Sequence, residues 1–105
     1  MDKQTHYILD GRTPVAVDLA TWADWIVKPE LRRIAETSLD DVEVSTVFLS
    51  QDHNFLGRGK PVLFETMVFG GPLDGVRWRY ETYDEAEKGH AMLVTVALRA
   101  SKGST

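Results

Sequence analysis

Three stretches decide the fold: Val42-Glu43-Val44-Ser45-Thr46-Val47-Phe48-Leu49-Ser50, Val62-Leu63-Phe64-Glu65-Thr66-Met67-Val68-Phe69 and Val76-Arg77-Trp78-Arg79-Tyr80-Glu81. Each is rich in β-branched and aromatic side chains, which suit a pleated, half-buried surface. In the third, Val76, Trp78 and Tyr80 fall on one face and Arg77 and Arg79 on the other, the period of two expected of a strand. Between the second and third lie Gly70-Gly71-Pro72 and Asp74-Gly75, both turn signals. Gln51 to Lys60 reads as a loop, and Pro61 stands where a strand begins and its missing N–H does least harm. Strands joined so closely run antiparallel.

On the C-terminal side, Thr82-Tyr83-Asp84-Glu85 has the form of a capping box. It opens a helix expected over 83–100, with Ala86, His90, Leu93 and Ala97 as its inner stripe and Val94 in support. Asp84, Glu85 and Glu87 stand at its positive end, and Arg99 and Lys102 at its negative end.

On the N-terminal side, Asp40-Asp41 is a turn signal. The stretch 30–38 fits either a helical turn, through Leu31 and Ile34, or a strand that forms a hairpin through Leu39-Asp40-Asp41. Asp18 is an N-cap for a helix over 19–27, with Leu19, Trp22, Ala23 and Ile26 as its apolar stripe and Trp25 at the stripe's edge. Pro29 ends that helix. Tyr7-Ile8-Leu9 leads into an Asp10-Gly11 turn, and Thr13 to Val17 continues extended. The pattern predicts one α+β domain over 1–105: a small antiparallel sheet of about four to five strands, with two helices packed on one face.

Composition narrows the function classes. The chain has 105 residues, 43% hydrophobic and 27% charged, which is ordinary for one globular domain and excludes collagenous or low-complexity classes. With no cysteine, disulfide staples and thiolate metal sites are impossible. The net charge is −4, made of −5 over residues 1–53 and +1 over 54–105; neither half is basic enough for direct nucleic-acid binding. The opening residues carry no apolar signal region, and no apolar run is long enough to span a bilayer. A cytoplasmic chain without membrane contact is the expectation.

Several residues are candidates for chemistry. Asp52-His53-Asn54 is the densest polar cluster; with Glu65 it would offer a general base or two metal ligands, while the same residue types also bond their own backbone in turns. Glu65 interrupts an apolar strand: it either lies at a partly exposed sheet face or is buried with hydrogen bonds or a cation, which Arg77 or Arg79 would supply as a structural pair. Gly57-Arg58-Gly59-Lys60 could cradle a phosphate, but it lacks the phosphate-loop spacing and a following helix. His90 reads as a satisfied core histidine. Three dispersed histidines make no metal motif, so no metal and no cofactor are expected. Trp25, at its stripe's edge, is the candidate aromatic anchor for an interface.

The block Ser45-Thr46-Val47-Phe48-Leu49, Asp52-His53-Asn54-Phe55 and Leu63-Phe64-Glu65-Thr66-Met67-Val68-Phe69-Gly70-Gly71 resembles a family of small phage and prophage proteins. Leu9-Asp10-Gly11-Arg12-Thr13-Pro14-Val15, and Arg79-Tyr80-Glu81-Thr82 with Glu85, Ala86 and His90, share the likeness. The family brings no activity with it, so no catalytic residue is carried over. What the resemblance implies is a viral accessory protein in the bacterial cytoplasm.

The first functional expectation is therefore a non-enzymatic protein that binds a host protein, such as a component of a bacterial immune system like a CRISPR effector. Its surface would include Trp25, Asp52, His53, Asn54, Arg58 and Lys60. The alternative is a binder of a nucleotide signal, with Arg58, Lys60, Arg77 and Arg79 around a floor of Trp78 and Tyr80. The third is a metal-assisted hydrolase using Asp52, His53 and Glu65. An exposed edge strand could pair two copies of the chain as a homodimer by sheet extension.

Overall fold

The computed structural model describes residues 5–56 and 58–102. The chain opens with a hairpin of β1 (Tyr7–Asp10) and β2 (Thr13–Ala16), followed by α1 (Leu19–Ile26) and a 3₁₀ turn over Pro29–Leu31. Then come β3 (Arg33–Leu39), β4 (Val42–Phe48), β5 (Phe64–Phe69), β6 (Arg77–Tyr80) and the long helix α2 (Tyr83–Lys102). β3 to β6 form one antiparallel sheet in sequence order, and β1–β2 is a separate two-stranded sheet. The fold is α+β, as the sequence predicts.

The ambiguous stretch 30–38 resolves into the 3₁₀ turn and strand β3. Pairing decides this: Leu39 stands opposite Val42 and Thr37 opposite Val44. The hairpin turns at Asp40, which takes a positive φ of 53°. Gly70 approaches that turn closely. A Cβ there would sit 2.2 Å from the Asp41 carbonyl oxygen, so only glycine fits.

Sequence alternation becomes burial directly in β4 and β5. Val44 faces Val68, Thr46 faces Thr66 and Phe48 faces Phe64, all six buried beneath α2. The intervening Glu43, Ser45, Val47, Glu65 and Met67 point to the other, half-exposed face. α2 buries Ala86, His90, Leu93 and Ala97, the four residues its periodicity selects. Its capping box forms as read: Glu85 N–H donates to Thr82 Oγ1 and Thr82 N–H to Glu85 Oε1, both at 3.1 Å.

The core has two apolar clusters. One gathers Val42, Val44, Val68, Leu93 and Ala97; the other Phe48, Leu63, Phe64 and Ala86. Burying a side chain such as Phe48, Phe64 or Leu93 contributes about 1.5–3 kcal/mol. Between the clusters runs a polar layer. Thr37 Oγ1 meets His90 Nε2 at 2.9 Å, His90 Nδ1 meets Thr46 Oγ1 at 2.7 Å, Thr46 meets Thr66 at 2.5 Å, and the Tyr80 hydroxyl donates to Thr66 at 3.1 Å. One side chain from each strand of the sheet and one from α2 thus join in a single chain of hydrogen bonds. His90 is the satisfied core histidine its position suggests. Burial lowers its pKa and raises that of Tyr80.

The N-terminal arm joins this body through Tyr7, Leu9 and Trp25, which pack on the Phe48 cluster, and through backbone pairing of His6 with Gln51. Arg12 lies over the Tyr83 ring, 4.2 Å from its centroid, and pairs with Asp84 and Glu87 of α2. The Thr21 N–H donates to Asp18 Oδ1 at 2.8 Å, so Asp18 caps α1 as predicted. The α1 stripe, however, is rotated from the expected one. Trp22, Trp25 and Ile26 are half-buried, whereas Leu19 and Ala23 are exposed. The two indoles set the rotation. Trp25 meets Phe48 edge-on at 5.6 Å and Trp22 meets His6 at 4.8 Å, contacts that remove more apolar surface from water than Leu19 and Ala23 would.

Candidate functional site

The loop between β4 and β5 is built by its own side chains. Asp52 is buried, and its Oδ1 accepts from Asn54 N–H at 2.7 Å and from Val62 N–H at 2.9 Å. Asn54 Nδ2 donates to the carbonyls of Arg58 and Lys60, at 2.7 and 2.8 Å, while its Oδ1 accepts from Leu56 N–H at 3.1 Å. His53 Nδ1 lies 2.9 Å from the Gln51 carbonyl, and its ring is tilted against Phe55 at 5.7 Å. The Asp-His-Asn cluster therefore acts in its turn-forming role: two polar side chains clamp the base of the loop from inside.

What that clamp presents is apolar. Phe55 is 82% exposed and Leu56 81%, adjacent at the loop's tip, with exposed Arg58 and Lys60 beyond them. The sequence reading passed over this pair as anchors. The signal available was two large apolar residues set among turn-forming residues, with no strand or helix to bury them. Gly57, part of the candidate phosphate cradle, lies outside the described residues.

The other candidates are dispersed. Glu65 sits on the open face of the sheet, where Arg79 Nε donates to its Oε2 at 2.9 Å; this is the structural pair the sequence suggested. The pair fits directly opposite partners on adjacent strands. Glu65 thus turns to Arg79 and His53 to a backbone carbonyl, so the two do not form an acid–base couple. Among the described residues no group of three His, Asp or Glu side chains is placed to hold a metal ion. Nor does the nucleotide arrangement assemble. Arg77 and Arg79 lie on the open face, while Trp78 and Tyr80 pack inward against the two core clusters. Trp25, expected as a free anchor, is half-buried against Phe48 and borders a hollow of roughly 270 Å³ with Leu9, Leu31, Ile34 and Tyr83.

On the open face a second hollow, roughly 320 Å³, is lined by Pro29, Arg32, Arg33, Glu36, Glu43, Ser45 and Val47. Glu43 is held above the usual carboxylate range, first by its hydrogen bond with Glu36, then by burial and the neighbouring negative charge. Arg33 pairs with Glu36 at 3.1 Å and partly offsets that charge. No helix among the described residues is long and apolar enough to cross a membrane. No protein family, no curated protein and no solved structure matches this chain.

Proposed function

We propose that this chain is a phage-encoded accessory protein that acts by binding a host protein, and that the 52–60 loop is its point of contact. The observation that carries the reading is the pair Phe55 and Leu56, each about four-fifths exposed on a loop clamped by Asp52 and Asn54. Apolar side chains left in water gain nothing on folding and contribute affinity when a partner covers them. A loop already held in one shape loses less entropy on docking. Arg58 and Lys60 form a basic rim, so the complementary site is an apolar cleft with acidic edges. A component of a bacterial immune system, such as a CRISPR effector, is the narrower form of the proposal, and inhibition would follow from occupying its cleft.

The test is affinity capture from a bacterial host lysate with the wild-type chain and with the Phe55→Ser/Leu56→Ser variant. The wild type should retain a specific host protein, and the variant should bind that protein at least about tenfold more weakly. Its melting temperature should stay within about 1–2 °C of wild type, since exposed side chains contribute little to folding. A captured partner that binds the variant as tightly as the wild type would overturn the reading, as would a wild type that retains no protein.

A further inference from the structure

Helix α1 reads Leu19-Ala20-Thr21-Trp22-Ala23-Asp24-Trp25-Ile26, apolar at all but two positions, yet none of its residues is fully buried. A helix with so few polar positions is expected to be more buried than this. Here one side turns to the protein through Trp22, Trp25 and Ile26. The exposed side carries Leu19, 62% exposed, Ala20, Ala23 and the polar Thr21 and Asp24, with Val27, 72% exposed, at the C-cap. Leu19, Ala23 and Val27 recur every fourth position and form one ridge along the helix. The described residues are correspondingly drawn out. Its radius of gyration is 15.2 Å, against about 13 Å for a compact domain of this length.

We infer that this ridge is an interface with a second copy of the chain, the two α1 helices packing antiparallel about a two-fold axis at Ala23. The ridge is complementary to itself in that arrangement. Ala23 meets Ala23 of the second copy on the axis, and the small side chains let the helices approach to about 8 Å. On either side Leu19 meets Val27, so large apolar groups cover each other. At both ends Asp18 stands level with Lys28 of the second copy, opposite charges on exposed residues. One patch serving both partners is what a closed dimer requires.

Two other exposed surfaces fit themselves less well. On α2, Met92 and Val96 stand between Lys88 and Arg99, and antiparallel self-packing there sets Lys88 against Arg99. The edge of β3, one of the two edge strands of the sheet, has a register shift between Arg33 and Ala35 and carries exposed Arg33 and Glu36, features that blunt an edge. The α1 ridge is short, well below the roughly 800 Å² per partner of a standard interface. The dimer is accordingly weak.

Sedimentation equilibrium across about 10 μM to 1 mM tests the inference. The wild-type mass should rise from 11.8 kDa towards twice that value. Ala23→Arg, a change at an exposed position, should remain monomeric throughout with an unchanged melting temperature. Lys28→Glu should weaken the dimer several-fold by facing Asp18 with like charge. A wild type still monomeric at about 1 mM overturns the inference and leaves the ridge to a different protein. A dimer indifferent to Ala23→Arg also overturns it, because the contact then lies elsewhere.

Discussion

Replacing Thr46 with valine tests the polar layer beneath α2 at its centre. The two side chains have nearly the same shape, so packing between Phe48 and Val44 is preserved while the hydroxyl is lost. Thr46 holds His90 Nδ1 at 2.7 Å and Thr66 at 2.5 Å. Thr66 keeps the Tyr80 hydroxyl, but the His90 nitrogen loses its partner in a buried setting. A buried polar group left unpaired costs about 1–3 kcal/mol. With an unfolding entropy of about 0.22 kcal/mol per degree for a chain of this length, the melting temperature should fall by about 5–14 °C. Thr46→Val combined with His90→Leu removes both ends of the bond, and its cost should be clearly less than the sum of the two single changes.

The same residues set a pH dependence. Burial lowers the His90 pKa below its ordinary 6.5, so the unfolded chain takes up this proton first. The stabilisation is complete above about pH 6.5 and is lost as the pH falls through the folded-state value. Thermal melts followed by circular dichroism from pH 8 to about pH 5 should show a decline in wild type that is shallower in His90→Leu. A Thr46→Val loss below about 0.5 kcal/mol, additive costs in the double variant, or equal pH slopes would refute the account of the layer.

Two further changes probe other contacts. Gly89→Ala adds a methyl 2.1 Å from the Tyr80 hydroxyl and 2.3 Å from its ring, so chemical denaturation should show a loss of about 1–3 kcal/mol although alanine is the better helix former. Glu43→Gln removes a carboxyl whose raised pKa marks a folded state that resists its ionisation. The native group is most favourable below its ordinary 4.5, and that advantage is lost as the pH rises through the folded value. The variant should therefore melt higher than wild type at pH 7, and the gain should vanish near pH 4.

The sequence by itself determined the elements whose information is local. Alternation in Val76–Glu81 put Trp78 and Tyr80 on one face and Arg77 and Arg79 on the other, because side chains two apart share a face whatever the partner strand is. The stripe of Ala86, His90, Leu93 and Ala97 and the Thr82–Glu85 cap were legible for the same reason: their geometry spans only a few residues. The remaining features followed from long-range packing. Whether 33–39 is strand or helix turned on β4 lying alongside it, since isolated residues there suit either state. The face of α1 depended on where Phe48 offered Trp25 a ring to meet. The hydrogen-bonded layer links residues 14 to 53 positions apart, a separation at which periodicity carries no signal. Likewise, the exposure of Phe55 and Leu56 exists only once the sheet and α2 have closed their core without using either side chain.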